Sequence, residues 1–431
     1  MNFSIKSIVK FCNNNMSKIR KFINNPIFYI ATFFHPVVLF IYRRIIMPFL
    51  VNRLRKKDKV SIAFVIEELG SWKTEKLYLQ MLNDSRFQVY LLLAKEQSAS
   101  YAFDILKSYL EKKHYDYHVV EAGDKIRKKC KPDIIFYQKP YDGIIDHSLF
   151  YQANFASLFC FISYTFWNRC SPKINQLKFL QYVWQLYIEN ESVYNDLEPV
   201  MNNHAENMVV TGVPFMDILL RPKDEFDDPW KTIGKKRIIY APHHTIFSES
   251  YKSPSYYDYS TFFKYAEFIL EMAYKYRKDV EWAFKPHPLL RMKLNIIWGK
   301  DKTDQYFRMW EDLENAQVSE GEYMGLFKHS DAMIHDCGSF KIEYLYTDNP
   351  VMYLLNNKQE YDFPNTQTQE ALNLHYKASD KKDIENFILN VIKGEDSLKE
   401  LRKVYKSKFL TPPNNATACD NIINEILAKV N

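Results

Sequence analysis

The sequence predicts an α/β protein with two Rossmann-like lobes, each built on a parallel β-sheet, preceded by an N-terminal apolar and basic helical arm. Length is the first reason, because 431 residues exceed what one ordinary hydrophobic core accommodates. The second is a repeated alternation of short apolar runs, rich in β-branched residues, with segments of helical spacing, which is typical of βαβ units. The third is a polar, proline-containing stretch, RPKDEFDDPWKTIGKK, after which the alternation starts again.

The N-terminal arm, residues 1–57, is distinguished by its charge. It contains 11 of the 58 Lys and Arg residues and no Asp or Glu, so the rest of the chain carries 47 basic and 52 acidic side chains. The basic excess therefore comes from the arm, and the body gives no charge-based reason to expect a nucleic-acid partner. We expect none.

The same arm contains an apolar and aromatic run, PIFYIATFFHPVVLFIYRRIIMPFLV, between the cationic segments KIRK and RLRKK. Anionic lipid at the cytoplasmic membrane surface attracts such a combination. A spanning helix fits less well, because His35, Pro36 and the pair Arg43–Arg44 interrupt the run. We therefore expect residues 1–57 to attach the protein, as a peripheral or monotopic protein, to the cytoplasmic face of the cell membrane. The alternative is a helical hairpin packed on the body.

The first lobe is expected over residues 58–220. Strand patterns occur in KVSIAFVIE, FQVYLLLA, YHVVE, PDIIFYQ and LFCFISY. They are continuous apolar runs, as in parallel strands that are buried on both faces. A long helix is expected over about residues 173–200, followed by a strand, a turn and a short helix in NMVVTGVPFMDILL.

The second lobe is expected over residues 236–431. Its strand patterns are RIIYAPHH, VEWAFKPHP, AQVSE, DAMIHD and VMYLL, with helices near residues 260–276, from Ser339 onward and at the C-terminal end. Two such lobes joined by a linker leave a cleft between them, where bilobal enzymes bind their substrates.

Polar side chains that can do chemistry follow three strands of the second lobe. Ligands of open parallel sheets bind beyond the carboxyl ends of the strands. The segments YAPHH, FKPHP and IHDCGS place these candidates there: His243, His244, Lys285, His287, His335, Asp336, Gly338 and Ser339. Because all three strand ends belong to one lobe, the sequence predicts a single site.

The segment CGSFKIE indicates that this site binds a phosphate. Gly338 lacks a Cβ and lets a phosphate approach the backbone, and the Ser339 hydroxyl can donate to it together with the first amides of the following helix. Glu343, one helical turn deeper, can accept hydrogen bonds from two ribose hydroxyls. A nucleoside diphosphate provides both groups. The alternative is that Asp336 and Ser339 only cap a helix.

Histidines supply the remaining candidates. His287 lies between Pro286 and Pro288, which fix its backbone, so it can face the cleft and donate to a phosphate or move a proton. The alternative is a structural histidine in a turn. His243 and His244 are adjacent, so at most one is expected to point into the cleft if the strand continues. The sequence has no further ligands at metal-site spacing, no G-x-G-x-x-G after a strand and no P-loop motif. We expect no metal and no other cofactor.

Over roughly residues 205–356 the sequence resembles the CDP-glycerol glycerophosphotransferase family, the teichoic-acid primases and polymerases with the GT-B fold. The resemblance rests on VTGVPFMDILL, IIYAPHHT, KPHP and SDAMIHDCGSFKIEYLYTDNPVMYL, in this order and spacing. It implies a GT-B-like fold and a transferase that moves a glycerol-phosphate or similar polyol-phosphate group. The donor would be CDP-linked, the acceptor a lipid-linked or polysaccharide chain of the cell surface, and the released product CMP.

The resemblance also implies roles for the candidates. His287, Ser339 and Glu343 match positions that are expected to meet the diphosphate and the ribose. Taken with the residues themselves, the expected catalytic side chains are His287, His243 and His244. The expected nucleotide-diphosphate site comprises Lys285, Asp336, Gly338, Ser339 and Glu343.

Two segments depart from the family pattern. FISYTFWNRC stands where the family has a W-H-G-like segment with the favoured catalytic base, and it contains no histidine; YAPHHTIF lacks the family's arginine. The base is therefore open among His147, His243 and His244. Two other functions stay open as well. One is a GT-B glycosyltransferase that uses a nucleotide-sugar donor for surface polysaccharide, and the other is a catalytically degenerate, membrane-bound scaffold.

Overall fold

Two parallel sheets organise the computed structural model, which describes residues 34–95, 100–246, 260–356 and 364–430. The first sheet comprises β1 (Val60–Ile66), β2 (Phe87–Ala94), β3 (His118–Val120), β4 (Ile134–Tyr137), β5 (Leu158–Ile162), β6 (Gln185–Ile188) and β7 (Met208–Val210). The second comprises β8 (Lys236–Ala241), β9 (Val280–Phe284), β10 (Ala316–Val318), β11 (Ala332–His335), β12 (Val351–Leu354) and β13 (Tyr376–Ala378). The strand orders are β3-β2-β1-β4-β5-β6-β7 and β10-β9-β8-β11-β12-β13. The predicted α/β fold with two parallel-sheet lobes is confirmed.

Helices cover both sheets. In the part of the chain associated with the first sheet they are α1 (His35–Ile41), α2 (Met47–Leu54), α3 (Glu75–Leu82), α4 (Ser100–Lys112), α5 (Ile126–Lys129), α6 (Phe179–Tyr182), α7 (Glu191–Leu197) and α8 (Pro214–Leu219). The later helices are α9 (Phe262–Lys275), α10 (Pro288–Trp298), α11 (Lys300–Glu311), α12 (Met324–Lys328), α13 (Phe340–Glu343), α14 (Thr366–Asn373), α15 (Lys381–Lys393), α16 (Lys399–Phe409) and α17 (Ala418–Val430). Short 3₁₀ turns include His147–Leu149, Pro172–Gln176 and Tyr344–Thr347.

The prediction of one long helix over residues 173–200 is wrong. A 3₁₀ turn, the short helix α6, the strand β6 and the helix α7 occupy this region instead. All four residues of β6 are buried, and the strand pairs with β5 on one side and β7 on the other. Its sequence, QLYI, is short and apolar, so its periodicity fits a helix as well as a strand, and pairing within the sheet decides the outcome.

The described part of the arm is a helix that runs from α1 through a π-helical turn, Tyr42–Ile46, into α2. One face belongs to the core of the first lobe: Tyr42, Leu50 and Leu54 are buried, and the Tyr42 hydroxyl donates to the Ser157 carbonyl over 2.8 Å. Residues 1–33 lie outside the described residues. Among those described, no helix is both long enough and apolar enough to span a membrane.

The segment VTGVPFMDILL, residues 210–220 of the first lobe, contacts the last helix of the chain, α17. Gly212 has a φ of +75°, and a Cβ added to it would lie 3.0 Å from the side chains of both Ala418 and Pro412, so this position requires glycine. The Asp217 carboxylate accepts hydrogen bonds from the backbone N–H groups of Ala418 (2.8 Å) and Cys419 (3.0 Å) and thereby caps α17. The last helix therefore docks on the first lobe.

Candidate functional site

The three polar strand ends of the second lobe are neighbours. Strand β8 pairs with β9 on one side and with β11 on the other, all in parallel, so their carboxyl ends meet at one edge. Backbone hydrogen bonds continue this contact beyond the strands, since Lys285 N–H donates to the Tyr240 carbonyl (2.8 Å) and His287 N–H to the Pro242 carbonyl (3.1 Å). The edge carries the predicted candidates from all three segments.

Three histidine rings form one cluster at this edge. The ring centres of His243 and His244 are 4.2 Å apart, and they lie 4.8 and 4.1 Å, respectively, from the ring centre of His287. The expectation that at most one of His243 and His244 points into the cleft depended on the strand continuing through them. Strand β8 ends at Ala241, so the side-chain alternation of a strand does not extend to the pair.

Hydrogen bonds at Nδ1 fix the ring orientation and the proton position in this cluster. The Nδ1 atom of His287 accepts from the backbone N–H of Leu289 (3.1 Å) and caps α10, and that of His244 lies 2.8 Å from the Lys293 ammonium nitrogen. A neutral ring that accepts at Nδ1 carries its proton on Nε2. His287 and His244 therefore present Nε2–H donors.

The electrostatic setting keeps these rings neutral. Burial lowers the pKa of His287 well below its ordinary value, and the neighbouring His244, Lys285 and Lys293 lower it further. Burial and the Lys293 ammonium lower the pKa of His244 to about 4. A bound anion would be stabilised by the Nε2–H donors and by the lysine charges without any histidine first having to be protonated.

The three histidines are also close enough together to be considered as metal ligands. One ligand atom from each of His243, His244 and His287 can be chosen so that all lie within 4.8 Å of one another. Coordination through Nε2 would require moving the ring proton to Nδ1, which in His287 already accepts a backbone N–H. The Lys293 ammonium beside His244 would also repel a cation. The donor set fits an anion better than a metal.

Asp336 is a buried carboxylate that holds the backbone of the histidine cluster in place through hydrogen bonds. Its carboxylate is fully buried; one oxygen accepts from the backbone N–H of His243 (2.6 Å) and the other from the N–H (2.6 Å) and hydroxyl (2.9 Å) of Thr261. Burial raises its pKa to about 6 although these hydrogen bonds lower it. Asp336 therefore acts on the site by positioning the backbone of His243.

The helix-capping alternative for Asp336 and Ser339 does not apply, because both Asp336 oxygens bind other loops and the Ser339 side chain makes no capping hydrogen bond. The α-helix that follows is a single turn, Phe340–Glu343, continued by the 3₁₀ turn Tyr344–Thr347. Gly338 is half-buried and is not among the described glycines with positive φ. The Ser339 hydroxyl therefore does not cap this helix.

Glu343 is buried and hydrogen-bonded. It is 2% exposed, and one of its oxygens accepts from the Tyr323 hydroxyl over 2.6 Å. That hydroxyl in turn accepts from the ammonium of Lys73, a first-lobe residue, over 2.9 Å. Lys285 completes this group, because its ammonium lies 5.2 Å from the Tyr323 ring centre and donates to the Gly321 carbonyl (3.3 Å). Burial lowers the pKa of Lys285 to about 8.

Other candidates lie away from the histidine cluster. His335 is fully buried, and its Nδ1 accepts from the backbone N–H of Cys337 (3.2 Å). His147, one of the proposed bases, belongs to the first lobe, where it starts the 3₁₀ turn His147–Leu149.

The sequence interpretation missed Glu189, which follows β6 at its carboxyl end. Its side chain is fully buried, one oxygen accepts from the backbone N–H of Trp167 (2.6 Å), and the other has no hydrogen-bond partner among the described residues. Burial raises its pKa to about 7. Once β6 is recognised as a strand, its carboxyl end is where a polar residue of this kind is expected.

The raised pKa of Glu189 makes the stability of the protein depend on pH. Because this pKa is about 7 in the folded state against an ordinary 4.5, the folded protein binds more protons in this window, and stability falls as pH rises through it. Glu189→Gln keeps the acceptor for Trp167 without the charge. We expect it to increase the free energy of unfolding by about 3 kcal/mol at pH 8 and to change it little at pH 4.5.

Urea denaturation of wild type and Glu189→Gln at both pH values measures this difference. Glu395→Gln, at an exposed position, is the matched control and should show no such pH dependence. An equal effect of Glu189→Gln at both pH values would contradict the pKa assignment.

Comparison with solved structures identifies the fold class. The chain is similar to a variant of the wall teichoic acid polymerase TagF, with 11% identity over 100% of both chains and a TM-score of 0.60. A second TagF variant, soaked with CDPG, is 12% identical over 90% of this chain and 95% of that one, with a TM-score of 0.55. A putative UDP-N-acetylglucosamine 2-epimerase from Listeria monocytogenes is 16% identical over 86% of this chain and 96% of that one, with a TM-score of 0.53. At these identities the likeness shows the fold alone, and the GT-B-like fold is confirmed.

Sequence comparison identifies the family. No curated protein matches the chain. The profile of the family described as CDP-Glycerol:Poly(glycerophosphate) glycerophosphotransferase matches residues 171–427, which is more than half of the chain and includes every candidate of the second-lobe site. The resemblance seen in the motifs is confirmed: the chain belongs to this family and is a CDP-glycerol glycerophosphotransferase-like transferase.

Proposed function

We propose that this enzyme transfers glycerol phosphate, or a similar polyol phosphate, from a CDP-linked donor to a membrane-linked acceptor of a surface polymer and releases CMP. The observation that carries the proposal is the pair of neutral histidines, His244 and His287, whose Nε2–H donors share one strand edge with Lys285 and with the Ser339 hydroxyl, which makes no helix-capping hydrogen bond. Such a set binds phosphate oxygens. The donor would occupy the second lobe, residues 236–431, and the acceptor the first, residues 58–220.

In this reaction an acceptor hydroxyl attacks the phosphorus distal to the cytidine. A new phosphorus–oxygen bond forms, the bond to the bridging oxygen of the diphosphate breaks, and CMP leaves with that oxygen. Negative charge grows on the phosphate oxygens and on CMP, where the Nε2–H group of His287 and the ammonium groups of Lys285 and Lys293 would stabilise it. Glu343 would accept from the ribose hydroxyls.

The proton of the acceptor hydroxyl must leave as the new bond forms. His287 and His244 fit this role poorly, because their Nε2 atoms already carry the ring proton. The donor role therefore fits both rings better than the base role. The same holds for His243, whose Nδ1 accepts from the backbone N–H of Thr245 (3.3 Å). This leaves the base to His147, to another first-lobe group or to the acceptor itself.

The nucleotide product tests the proposal. The protein is incubated with CDP-glycerol and a lipid-linked glycerol-phosphate primer, and the nucleotides are separated by ion-exchange chromatography. We expect CMP to accumulate in step with primer extension. Transfer with a UDP-sugar and release of UDP would instead identify a glycosyltransferase, and nucleotide binding without turnover on any primer would favour the scaffold.

We also propose that the arm holds the enzyme on an anionic membrane surface. The face of α1 and α2 that points away from the core exposes a row of large apolar side chains that are 40–65% accessible: Phe34, Val37, Phe40, Ile41, Ile45 and Phe49. Arg44, Arg55, Lys56 and Lys57, on the same helix or directly after it, are exposed as well. An apolar row beside cations is the combination that inserts at the headgroup boundary of anionic lipid.

Because the inner face of this helix is part of the core, the arm is best tested by substitution on its outer face. Phe40→Ser with Phe49→Ser should reduce co-sedimentation with phosphatidylglycerol-containing vesicles at least about 10-fold, since each phenylalanine contributes roughly 1.5–3 kcal/mol when buried. Leu401→Ser with Val404→Ser removes an equally exposed apolar pair on α16 and is the matched control. Unchanged sedimentation of the arm variant would contradict the membrane role.

A further inference from the structure

A chain of hydrogen bonds crosses from the first lobe into the candidate donor site. The Lys73 ammonium donates to the Tyr323 hydroxyl (2.9 Å), and this hydroxyl lies 2.6 Å from one carboxylate oxygen of Glu343. Lys73 follows β1 of the first sheet, whereas Tyr323 and Glu343 flank β11 of the second. The first lobe is therefore linked, through Tyr323, to the carboxylate to which the ribose role is assigned.

Lys73 is held firmly on its own lobe. Its backbone N–H donates to the Gln138 side-chain oxygen (2.6 Å), just after β4, and its ammonium lies 4.0 Å from the centre of the Phe215 ring in α8. Both contacts are made by first-lobe residues. The Lys73 ammonium is thus held in a fixed position beside Tyr323. The hydrogen bond to the Tyr323 hydroxyl therefore costs little additional side-chain entropy.

The direction of the hydrogen bonds follows from the chemistry of the groups. An ammonium can only donate, so the Tyr323 oxygen accepts from Lys73 and its single proton points to Glu343. Burial raises the pKa of Tyr323 well above its ordinary value, so the hydroxyl keeps that proton. One oxygen of Glu343 is thereby fixed and occupied, and the other makes no hydrogen bond with any described residue.

We propose that Lys73 is a positioning residue of the donor site, supplied by the opposite lobe: through Tyr323 it orients Glu343 so that the second carboxylate oxygen meets the ribose hydroxyls of the donor. The inference rests on the proposed function, because it takes a nucleoside diphosphate as the ligand. It adds that ribose recognition is shared between the lobes. Donor affinity then depends on a first-lobe residue that acts through Tyr323 and Glu343.

The test is a titration of CDP and of 2′,3′-dideoxy-CDP into the full-length protein by calorimetry. Lys73→Met removes the ammonium and keeps the stem, and Tyr323→Phe removes only the hydroxyl. Each should weaken CDP about 10-fold and leave the dideoxy ligand nearly unaffected, since that ligand lacks the hydroxyls that Glu343 accepts from. The double variant should be less than about 3-fold weaker than either single variant, because both changes break one chain.

Lys76→Met is the matched control. Lys76 lies on α3, close to Lys73 in sequence, but its ammonium faces Asp217 (3.7 Å) within the first lobe. The control should bind both nucleotides as wild type does. If Lys73→Met fails to fold, Tyr323→Phe decides alone, since it changes one hydroxyl.

The outcomes separate the inference from the proposed function. Wild-type CDP affinity in Lys73→Met and Tyr323→Phe, or equal losses for CDP and the dideoxy ligand, would overturn the inference and leave the proposed function standing. A wild-type protein that binds UDP but not CDP would overturn the proposed function, and the same cycle run with UDP and its dideoxy form would still decide the role of Lys73. A wild-type protein that binds neither nucleotide would overturn both.

Discussion

Replacing His287 with alanine is expected to lower turnover at least about 100-fold, the usual range for a lost electrostatic or acid–base group. The ring presents an Nε2–H donor at the strand edge and is backed by its Nδ1 contact to Leu289. Its pKa lies well below the ordinary value because of burial, so it stays neutral near pH 7. We therefore expect no rise in kcat/KM with pH through the usual histidine range on account of this residue. Initial rates across pH 5.5–8 measure both effects.

Two matched variants separate the role of His287 as a hydrogen-bond donor to phosphate from its role as the N-cap of α10. His287→Asn keeps a good N-cap acceptor for α10 but is too short to reach the phosphate, so it should melt like wild type and lose as much turnover as His287→Ala. His287→Gln supplies a longer amide donor that cannot titrate and should recover part of the rate. Near-wild-type turnover in a folded His287→Ala would reduce this histidine to a structural turn residue.

The second large effect is expected at Glu343. Glu343→Ala should weaken CDP binding by about 1.5–3 kcal/mol, the range for a hydrogen bond to a charged group, which corresponds to roughly 10- to 150-fold. Burial raises the pKa of Glu343, while Lys73, the Tyr323 hydroxyl and Lys285 lower it and so favour the charged form that accepts from ribose. Calorimetry with CDP measures the loss.

The control for Glu343→Ala is a ligand that lacks the ribose hydroxyls. 2′,3′-Dideoxy-CDP should bind wild type more weakly than CDP does and should lose little more in Glu343→Ala. Glu343→Gln keeps the size and one acceptor oxygen and should fall between wild type and alanine. Equal losses of both ligands in Glu343→Ala would show that Glu343 does not touch the ribose.

Much of the fold could be predicted from the sequence because the strands of a doubly covered parallel sheet are short, continuous apolar runs. Strand β1, for example, is buried along its whole length, and its sequence, VSIAFVI, has no competing helical pattern. The sequence pattern did not reveal the strands β6 and β13, for two different reasons. QLYI lies in a segment that also fits a helix, and YKA is a three-residue edge strand with too few apolar positions to be detected.

The site was only partly predictable. The rule that ligands lie beyond the carboxyl ends of strands located the right edge, because β9, β8 and β11 are adjacent in the sheet. The orientation of His243 and His244 depends on where β8 ends, which periodicity alone does not determine. Contacts between distant loops, such as the one from Lys73 to Tyr323, have no local sequence pattern and appear only when the two lobes are seen together.

The central claim is that the second lobe binds a CDP-linked donor, and the affinity of wild-type protein for CDP-glycerol relative to UDP-N-acetylglucosamine tests it most directly. Both ligands carry the diphosphate and ribose that the site addresses, and structures similar to this chain include proteins named for each class. We expect CDP-glycerol to bind at least about 10-fold more tightly in calorimetry, a difference of about 1.4 kcal/mol. Equal or tighter binding of UDP-N-acetylglucosamine would contradict it.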